Sequence, residues 1–525
     1  MGKLICFFPS LLWKYYSKTE TMANLRSLAK DTAIYGMSSI IGRFLNYLLV
    51  PIYTFSMPAS SGDYGIQTNI YAYVALMLPI LTFGMETTFF RFANKEGEDP
   101  KRVYSTVLYM VGGVCLAFVL LVLAFINPIS EWMHYEGHSE YIWPMAIVAA
   151  LDAFQCIPFA YLRYSRKALK FAMLKCLFIV LNIVLNLMYF IAVPMLYENE
   201  STRHIVSSFF DGQVRVEWIF YINLICTSLV TFFFRKELTG FKYVFDARLA
   251  KRMLNYSWPI LVFGIAGILN QTADKLIFPF VSSHAGKEVN VQLGIYGACV
   301  KIAMIMTLFT QAFRYAYEPF VFGKSKEKNS RETYAAAMKY FLIFAILAFL
   351  IVCGYLDIIK RIVIAPDYWE GLKVTPIVML SGILLGTYFN LSMWYKLIDK
   401  TWFGMIFSIA GCAVLIAVNI IFIPKYSYMA CAWGGVAGYG TATILSYIFE
   451  HKYYPIPYQK GRIFSYALLA AVVFGAMQAI PELLPGMHPA VYICANTVLI
   501  IIYIAYMSKK DFPLKNLPVV GKYFR

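Results

Sequence analysis

The sequence predicts an all-α membrane protein with about 14 transmembrane helices, and three observations lead to this fold class. First, 60% of the 525 residues are hydrophobic and only 14% are charged, whereas a soluble domain carries about 25% charge. Second, fourteen apolar stretches approach or exceed the length that a helix needs to cross a hydrocarbon core of about 30 Å. Third, basic residues are distributed unevenly between the two sides of the topology that these stretches define.

The predicted spans follow one another through mostly short polar loops, none of which is long enough to hold a second soluble domain. We therefore do not expect a globular protein with a membrane anchor. The spans cover residues 32–57, 66–92, 104–128, 142–161, 171–194, 218–234, 257–281, 293–320, 334–355, 374–397, 402–423, 429–449, 464–480 and 489–507.

The charge bias sets the predicted orientation. Of the 46 Lys and Arg residues, 33 fall in or beside loops of one side and 7 on the other, so the positive-inside rule places both termini in the cytoplasm. Residues 1–21 are expected to be an N-terminal extension of little order, with Met22 as the natural start. Residues 511–525 are expected to be a basic tail on the anionic inner leaflet.

An internal repeat organises the chain. Spans 1 and 2 resemble spans 7 and 8, so that Tyr35 corresponds to Tyr256 and Gly65 to Gly294. Because each unit holds six spans, the two units have the same orientation, which predicts a parallel repeat with a cavity between its halves. The predicted domains are an N-lobe (22–240), a C-lobe (241–455) and spans 13 and 14 (456–510), which lie outside the repeat.

Charged side chains inside the predicted spans are the candidate functional residues, because each is costly in lipid unless it faces protein or water. Most lie in spans 1, 2, 7 and 8. They either line a transport cavity or form ion pairs that fix helix packing, and Arg314 and Glu318 have the i, i+4 spacing of such a pair. Lys175 and Lys339 are expected to snorkel toward the headgroups. The candidates are the bases Arg43, Lys275, Lys301 and Arg314 and the acids Glu86, Asp152, Asp274 and Glu318.

Signatures of soluble enzymes are not found in the sequence. It contains no Walker loop, no dinucleotide fingerprint and no GxSxG motif, so we expect neither an enzyme nor a cofactor. The driving force is then an ion gradient, with Na⁺ or H⁺ as the candidate coupling ion, the membrane potential or the substrate gradient. We expect no metal site, and no nucleic-acid partner, because the excess positive charge follows the membrane topology.

Four segments of the sequence carry a resemblance to a known family. They read LAKDTAIYGMSSIIGRFLNYLLVPIYT, GMETTFFRFANKE, YSWPILVFGIAGILNQTADKLIFPF and FTQAFRYAYEPFVF. These segments are similar to bacterial polysaccharide biosynthesis proteins of the Wzx type, which belong to the MOP superfamily together with MATE exporters and MurJ-type lipid II flippases. The resemblance extends from about Met22 to the C-terminus and implies two six-helix lobes in a V plus two C-terminal helices.

The resemblance also implies a function. Such proteins move undecaprenyl-pyrophosphate-linked glycan repeat units from the inner to the outer leaflet of the bacterial cytoplasmic membrane by alternating access, for O-antigen, capsule or exopolysaccharide synthesis. Arg43, Lys275, Lys301 and Arg314 fit a cationic cavity, because a pyrophosphate binds Lys or Arg partners. The implied partners are the lipid-linked oligosaccharide and the bilayer, with a polysaccharide polymerase and glycosyltransferases as further candidates.

Two other functions compete with this one. A MATE-like drug/cation antiporter needs acidic cavity residues, whereas the spans hold six basic and four acidic side chains. A membrane scaffold for a glycan synthase complex has no need of repeated charged spans. Both alternatives are therefore less favoured by the sequence than a flippase.

Overall fold

The computed structural model describes residues 47–239, 244–324 and 330–511, and for 315–316, 318–320 and 322–324 it describes the helix only. No β-strand occurs in this part of the chain, which confirms the all-α prediction. The helices are α1 Leu49–Ser56, α2 Asp63–Thr82, α3 Met85–Ala93, α4 Pro100–Ala124, α5 Ile126–Trp132, α6 Trp143–Tyr164, α7 Ala168–Leu187, α8 Val193–Glu198, α9 Arg203–Val206, α10 Glu217–Phe233, α11 Arg235–Thr239, α12 Ala247–Val281, α13 Lys287–Lys324, α14 Ser330–Gly354, α15 Leu356–Val363, α16 Thr375–Leu391, α17 Met393–Leu397, α18 Trp402–Tyr426, α19 Tyr428–Tyr453, α20 Lys460–Leu483 and α21 Pro489–Lys510.

Eleven helical segments of the described residues are long and apolar enough to cross a membrane, and each overlaps one predicted span. Two further predicted spans correspond to α10, which is shorter, and to α19, which is rich in glycine and tyrosine. Residues 1–21, most of the first predicted span and the tail beyond Asp511 lie outside the described residues. The multi-pass architecture is confirmed, while the count of 14 stays a prediction.

Local sequence signals explain where several helices begin and break. Asp99 and Asp246 precede α4 and α12, and their carboxylates accept hydrogen bonds from backbone N–H groups of the first turn. The predicted span 66–92 is divided into α2 and α3, because Phe83 and Gly84 both have left-handed backbone conformations. Pro79 precedes this break by one turn and cannot donate a helical hydrogen bond.

The first of two compact units comprises Met1–Ala298 and Cys412–Gly434. Within it α2, α4 and α10 all pack against α6, and α2 also packs against α12. Polar side chains connect these helices: Gln155 on α6 donates to the Thr227 carbonyl (2.9 Å) and to the Thr231 hydroxyl (2.7 Å) on α10. Such hydrogen bonds stabilise contacts between helices that lie in lipid.

The second unit comprises Cys299–Gly411 and Gly435–Arg525, and α14 is its central helix. The helices α16, α20 and α21 pack against α14. The contacts of α20 and α21 with α14 surround a core that includes Leu350, Tyr466 and Tyr503. The unit boundaries pass through α13, α18 and α19. The predicted lobes 22–240 and 241–455 were bounded by the sequence repeat, whereas the two compact units are bounded by contacts between residues. The lobes therefore stay a prediction.

A buried ion pair attaches the last two helices to α14. Lys339 Nζ lies 2.7 Å from Asp511 Oδ1, and the two side chains are 9% and 5% exposed. Asp511 also accepts hydrogen bonds from the Tyr466 hydroxyl (2.9 Å) and from Arg462 (3.3 Å) on α20. Lys339 therefore does not snorkel as the sequence suggested, because a carboxylate from the end of α21 reaches it.

Large apolar side chains on the outside of both units agree with a lipid environment. Leu116, Leu120 and Leu121 on α4 are each more than half exposed, as are Ile444 and Ile448 on α19. A water-soluble protein rarely exposes continuous apolar surface of this kind. The long helices therefore have the polarity of spanning segments, with polar bonds inside and apolar side chains outside.

Candidate functional site

An ion pair occupies the first unit at the position where the sequence predicted a substrate-binding cation. Lys275 Nζ lies 2.9 Å from both carboxylate oxygens of Asp274. The hydroxyl of Tyr296 on α13 donates to Asp274 Oδ2 (2.6 Å), and the Lys275 ammonium lies 5.4 Å from the centroid of the Tyr296 ring. Asp274 and Tyr296 are buried. The charge of Lys275 is thus compensated within its own helix.

Two buried polar residues from other elements support this pair. Asn69 on α2 donates to the Lys275 carbonyl oxygen (2.9 Å), and the Tyr135 hydroxyl donates to Asn69 Oδ1 (3.0 Å). The network fixes the backbone of α12 at the charged pair. Asn69, Tyr135 and Tyr296 were not among the predicted site residues, although an asparagine inside an apolar span is a signal that was available.

The acids predicted in the first half of the chain also have basic neighbours. Glu86 on α3 forms an ion pair with Arg163 on α6, and both side chains are partly exposed. Asp152 on α6 interacts electrostatically with Lys175 on α7, whose ammonium lies 4.0 Å from the centroid of the Phe159 ring. Lys175 therefore contacts the interior of its unit rather than extending toward the headgroups.

Lys301 and Arg314 lie on the same helix, α13, but the structure does not bring them together. Thirteen residues separate them in sequence, which corresponds to about 20 Å along the helix axis. They therefore lie at different depths, and one pyrophosphate group does not contact both at once. The other two candidates, Arg43 and the side chain of Glu318, lie outside the described residues.

Arg314 lines a small pocket that lies wholly within the second unit. The space enclosed by the lining side chains is about 10 Å³, which is room for about one water-sized group. The Arg314 guanidinium carbon lies 4.8 Å from the centroid of the Phe389 ring, so the cation covers one wall of the pocket. The lining residues are Thr310, Phe313, Arg314, Tyr317, Phe341, Gly386, Phe389, Asn390 and Met393. We call this site the Arg314 pocket.

Residues that commonly hold metal ions do not cluster in the described part of the chain. No group of three or more His, Cys, Asp or Glu side chains is arranged there to hold a metal, and the nine cysteines that the structure describes are unpaired. The Asp274–Lys275 pair and the Arg314 pocket are therefore the two candidate sites.

Spanning helices that carry charged and polar sites of this kind define a multi-pass membrane transporter or flippase. The chain belongs to the polysaccharide biosynthesis protein family, whose family model matches residues 28–319. A comparison with curated proteins gave no match.

Several solved structures share the fold of this chain. A lipid II flippase MurJ in an inward closed conformation has a TM-score of 0.66 and 16% identity, over 92% of this chain and 99% of that chain. An inward-facing multidrug resistance MATE family transporter of the MOP superfamily has a TM-score of 0.61 and 13% identity, over 85% and 97%. The MATE multidrug transporter DinF-BH has a TM-score of 0.57 and 16% identity, over 83% and 96%. The chain therefore has the fold of MurJ and MATE transporters.

Proposed function

We propose that this protein is a lipid-linked oligosaccharide flippase. It moves undecaprenyl-pyrophosphate-linked glycan repeat units from the inner to the outer leaflet of the bacterial cytoplasmic membrane, for O-antigen, capsule or exopolysaccharide synthesis. The observation that carries the proposal is the family match over residues 28–319, a region that contains all eight charged candidates predicted inside the spans. Both termini face the cytoplasm, and a polysaccharide polymerase and glycosyltransferases act on the same lipid-linked glycan.

The Asp274–Lys275 pair is the proposed switch for substrate binding. A pyrophosphate binds Lys275 strongly only when Asp274 no longer competes for the ammonium. A proton on Asp274, or a Na⁺ ion beside it, removes that competition, so the pair couples substrate binding to an ion gradient. Tyr296 then keeps a hydrogen bond to the Asp274 carboxyl group in either state, because a hydroxyl both donates and accepts.

A MATE-like drug/cation antiporter is the second candidate, since MATE transporters share the fold. A cationic drug needs an acidic partner inside the membrane. Two of the predicted intramembrane acids, Asp274 and Glu86, already form ion pairs with Lys275 and Arg163. A cationic drug would have to displace Lys275 or Arg163 from these acids, so this candidate requires the pairs to open.

Transport of a defined lipid tests the proposed function directly. Proteoliposomes containing the purified protein receive a fluorescent undecaprenyl pyrophosphate that carries one sugar, and its transfer between leaflets is measured. We expect transfer by the wild type and at least a tenfold loss in an Arg43→Ala, Lys275→Ala, Lys301→Ala variant, because the pyrophosphate loses its cationic partners. Lys425→Ala, which changes an exposed lysine at the end of α18, is the matched control. Normal transfer by a stable triple variant would contradict the cationic site, and drug efflux without lipid transfer would support the antiporter.

A further inference from the structure

The short helix α15 has one face that the described residues leave uncovered. Ile358, Arg361 and Ile362 lie on this face, because helical residues three and four positions apart are neighbours. Ile358 is 40% and Ile362 66% exposed, and Arg361 is exposed beside them, whereas Val363 is buried. We call Ile358, Arg361 and Ile362 the α15 face. It combines one cation with two apolar side chains.

The two adjacent bases of α15 have different surroundings. Lys360 forms an ion pair with Asp357, and its ammonium lies 4.6 Å from the centroid of the Trp369 ring. The charge of Lys360 is therefore compensated within the protein. Arg361 forms no ion pair, hydrogen bond or ring contact with any residue that the structure describes. Its guanidinium is available to an anion outside the protein.

The position of α15 along the chain places its exposed face at the level of the lipid headgroups. The apolar segment Ser330–Gly354 is long enough to cross a membrane, and α15 begins two residues after it ends. Ile351, in the last turn of that segment, is 39% exposed, so the end of α14 also presents an apolar side chain outward. At this depth apolar side chains contact acyl chains, while a guanidinium reaches the phosphates.

The predicted repeat shows that the cation is specific to one half of the chain. The helix α5 lies between α4 and α6 in the sequence as α15 lies between α14 and α16. An alignment of Phe125 with Tyr355, the residues that precede the two short helices, places Glu131 opposite Arg361. Both side chains are exposed, so the same position carries opposite charges in the two halves. A requirement of the fold alone would not reverse the charge, whereas a ligand of one half would.

We propose that the α15 face binds the headgroup of an anionic phospholipid in the outer leaflet, with Arg361 on the phosphate and Ile358 and Ile362 against the acyl chains. Three of the seven bases on the predicted outer side, Lys360, Arg361 and Lys373, lie in this one segment, although basic residues are disfavoured on that side. An arginine suits the role, because its planar guanidinium binds two phosphate oxygens at once. The inference goes beyond the proposed function and does not depend on the transported substrate.

Titration with three lipids tests the assignment. Native mass spectrometry of the full-length protein in detergent measures the binding of phosphatidylglycerol, of neutral phosphatidylcholine and of undecaprenyl pyrophosphate. Arg361→Glu gives α15 the charge that α5 carries, and Arg361→Gln removes the charge alone. Lys373→Glu is the matched control, because it makes the same charge change at a side chain that is 53% exposed in the same outer segment but lies outside the α15 face.

We expect Arg361→Glu to weaken the binding of phosphatidylglycerol about tenfold, because an attraction to the phosphate is replaced by a repulsion. Arg361→Gln should give a smaller loss, and Lys373→Glu should bind as the wild type does. The binding of phosphatidylcholine should not change in any variant. Phosphatidylglycerol should also raise the unfolding temperature of the wild type more than that of Arg361→Glu, since a ligand stabilises the state that binds it.

Three results would overturn the assignment. Equal affinity of the wild type and Arg361→Glu for phosphatidylglycerol shows that the lipid binds elsewhere. An equal loss in Lys373→Glu shows that net charge, rather than the α15 face, attracts the lipid. A loss of undecaprenyl pyrophosphate binding in Arg361→Glu, with unchanged phosphatidylglycerol binding, assigns the face to the substrate instead. Arg361 makes no contact that the fold needs, so both of its variants should fold as the wild type does.

Discussion

Gly65 on α2 and Gly294 on α13 lie against each other, and they are the residues that the predicted sequence repeat aligns. A Cβ atom on Gly294 would lie 2.9 Å from the Gly65 amide nitrogen. The next turn repeats the relationship, because Thr68 contacts Gly297, its equivalent at the same offset. Contacts between equivalent positions are what a two-fold axis produces, so these two contacts agree with the predicted repeat.

Cross-linking this contact should stop transport. An ideal Cβ on Gly297 lies 3.2 Å from Thr68 Cβ, close to the range of about 3.5–4.5 Å for disulfides. The contact lies near the predicted outer ends of α2 and α13, which must separate if the cavity opens outward. We expect oxidised Thr68→Cys, Gly297→Cys protein to lose transfer of the labelled lipid by at least tenfold and to regain it on reduction. The single variants are the controls, and normal transfer by fully cross-linked protein would refute an outward opening at this contact.

Removing the carboxylate that binds Lys339 should destabilise the second unit. Asp511→Ala leaves a buried ammonium without its partner, which costs about 3 kcal/mol. Thermal unfolding in detergent measures the effect. Asp357→Ala is the matched control, because the Asp357 side chain is 62% exposed and its pair with Lys360 contributes less than about 1 kcal/mol. Equal stability of the two variants would mean that the Lys339–Asp511 pair does not attach α20 and α21.

The same pair predicts a dependence of stability on pH. Burial alone would raise the pKa of Asp511. Hydrogen bonds from Lys339 and Tyr466, together with the charges of Lys339 and Arg462, lower the pKa by more, so it lies below its usual 3.8. Because the pKa of Asp511 is lowered on folding, the stabilisation by the Lys339–Asp511 pair is complete above about pH 4. It is lost as the pH falls through the pKa that Asp511 has in the folded protein. The stability difference between wild type and Asp511→Asn should therefore stay constant from about pH 5 to 8 and shrink below about pH 4. A difference that grows in acid would show the opposite shift.

Filling the space beneath Phe341 should destabilise the second unit. A methyl group on Gly386 overlaps the Phe341 ring, which must then move, and overpacking of this kind costs about 1–3 kcal/mol. We expect Gly386→Ala to unfold at a lower temperature in detergent than the wild type. Gly440→Ala is the control, because a Cβ there meets its nearest neighbour at an ordinary 3.9 Å. Equal thermal stability of the two variants would show that the Phe341 ring moves aside without cost.

The orientation in the membrane is testable with two exposed positions. With both termini in the cytoplasm, the loop between predicted spans 5 and 6, which holds Ser207, faces outward. The loop between spans 2 and 3, which holds Glu96, faces the cytoplasm. A membrane-impermeant thiol reagent added to intact cells should label Ser207→Cys and should label Glu96→Cys only after the membrane is opened. Protein without an introduced cysteine measures labelling of Cys176 and Cys494, which are also exposed. The reverse pattern would invert the topology.

Hydropathy and charge placement were sufficient to predict the fold class, because spanning helices need long apolar segments whatever their partners are. The partners of the charged side chains were harder to predict. Asp274 and Lys275 are adjacent in sequence, and adjacent helical residues do not normally face each other. Lys339 and Asp511 are 172 residues apart, so only the packing of α14 against α21 brings them together. Thr310 and Asn390 look like ordinary helix residues in the sequence, yet Thr310 Oγ1 and Asn390 Oδ1 are buried without a hydrogen-bond partner among the described residues.

The Lys339–Asp511 pair also has a consequence for biosynthesis. A ribosome that adds about 5–20 residues per second needs roughly 10–30 s to reach Asp511 after it has made Lys339. During that interval the nascent chain holds a lysine in α14 whose carboxylate has not yet been made. The Lys339–Asp511 pair therefore forms only after α21 has been made, and a chain that ends before Asp511 lacks it.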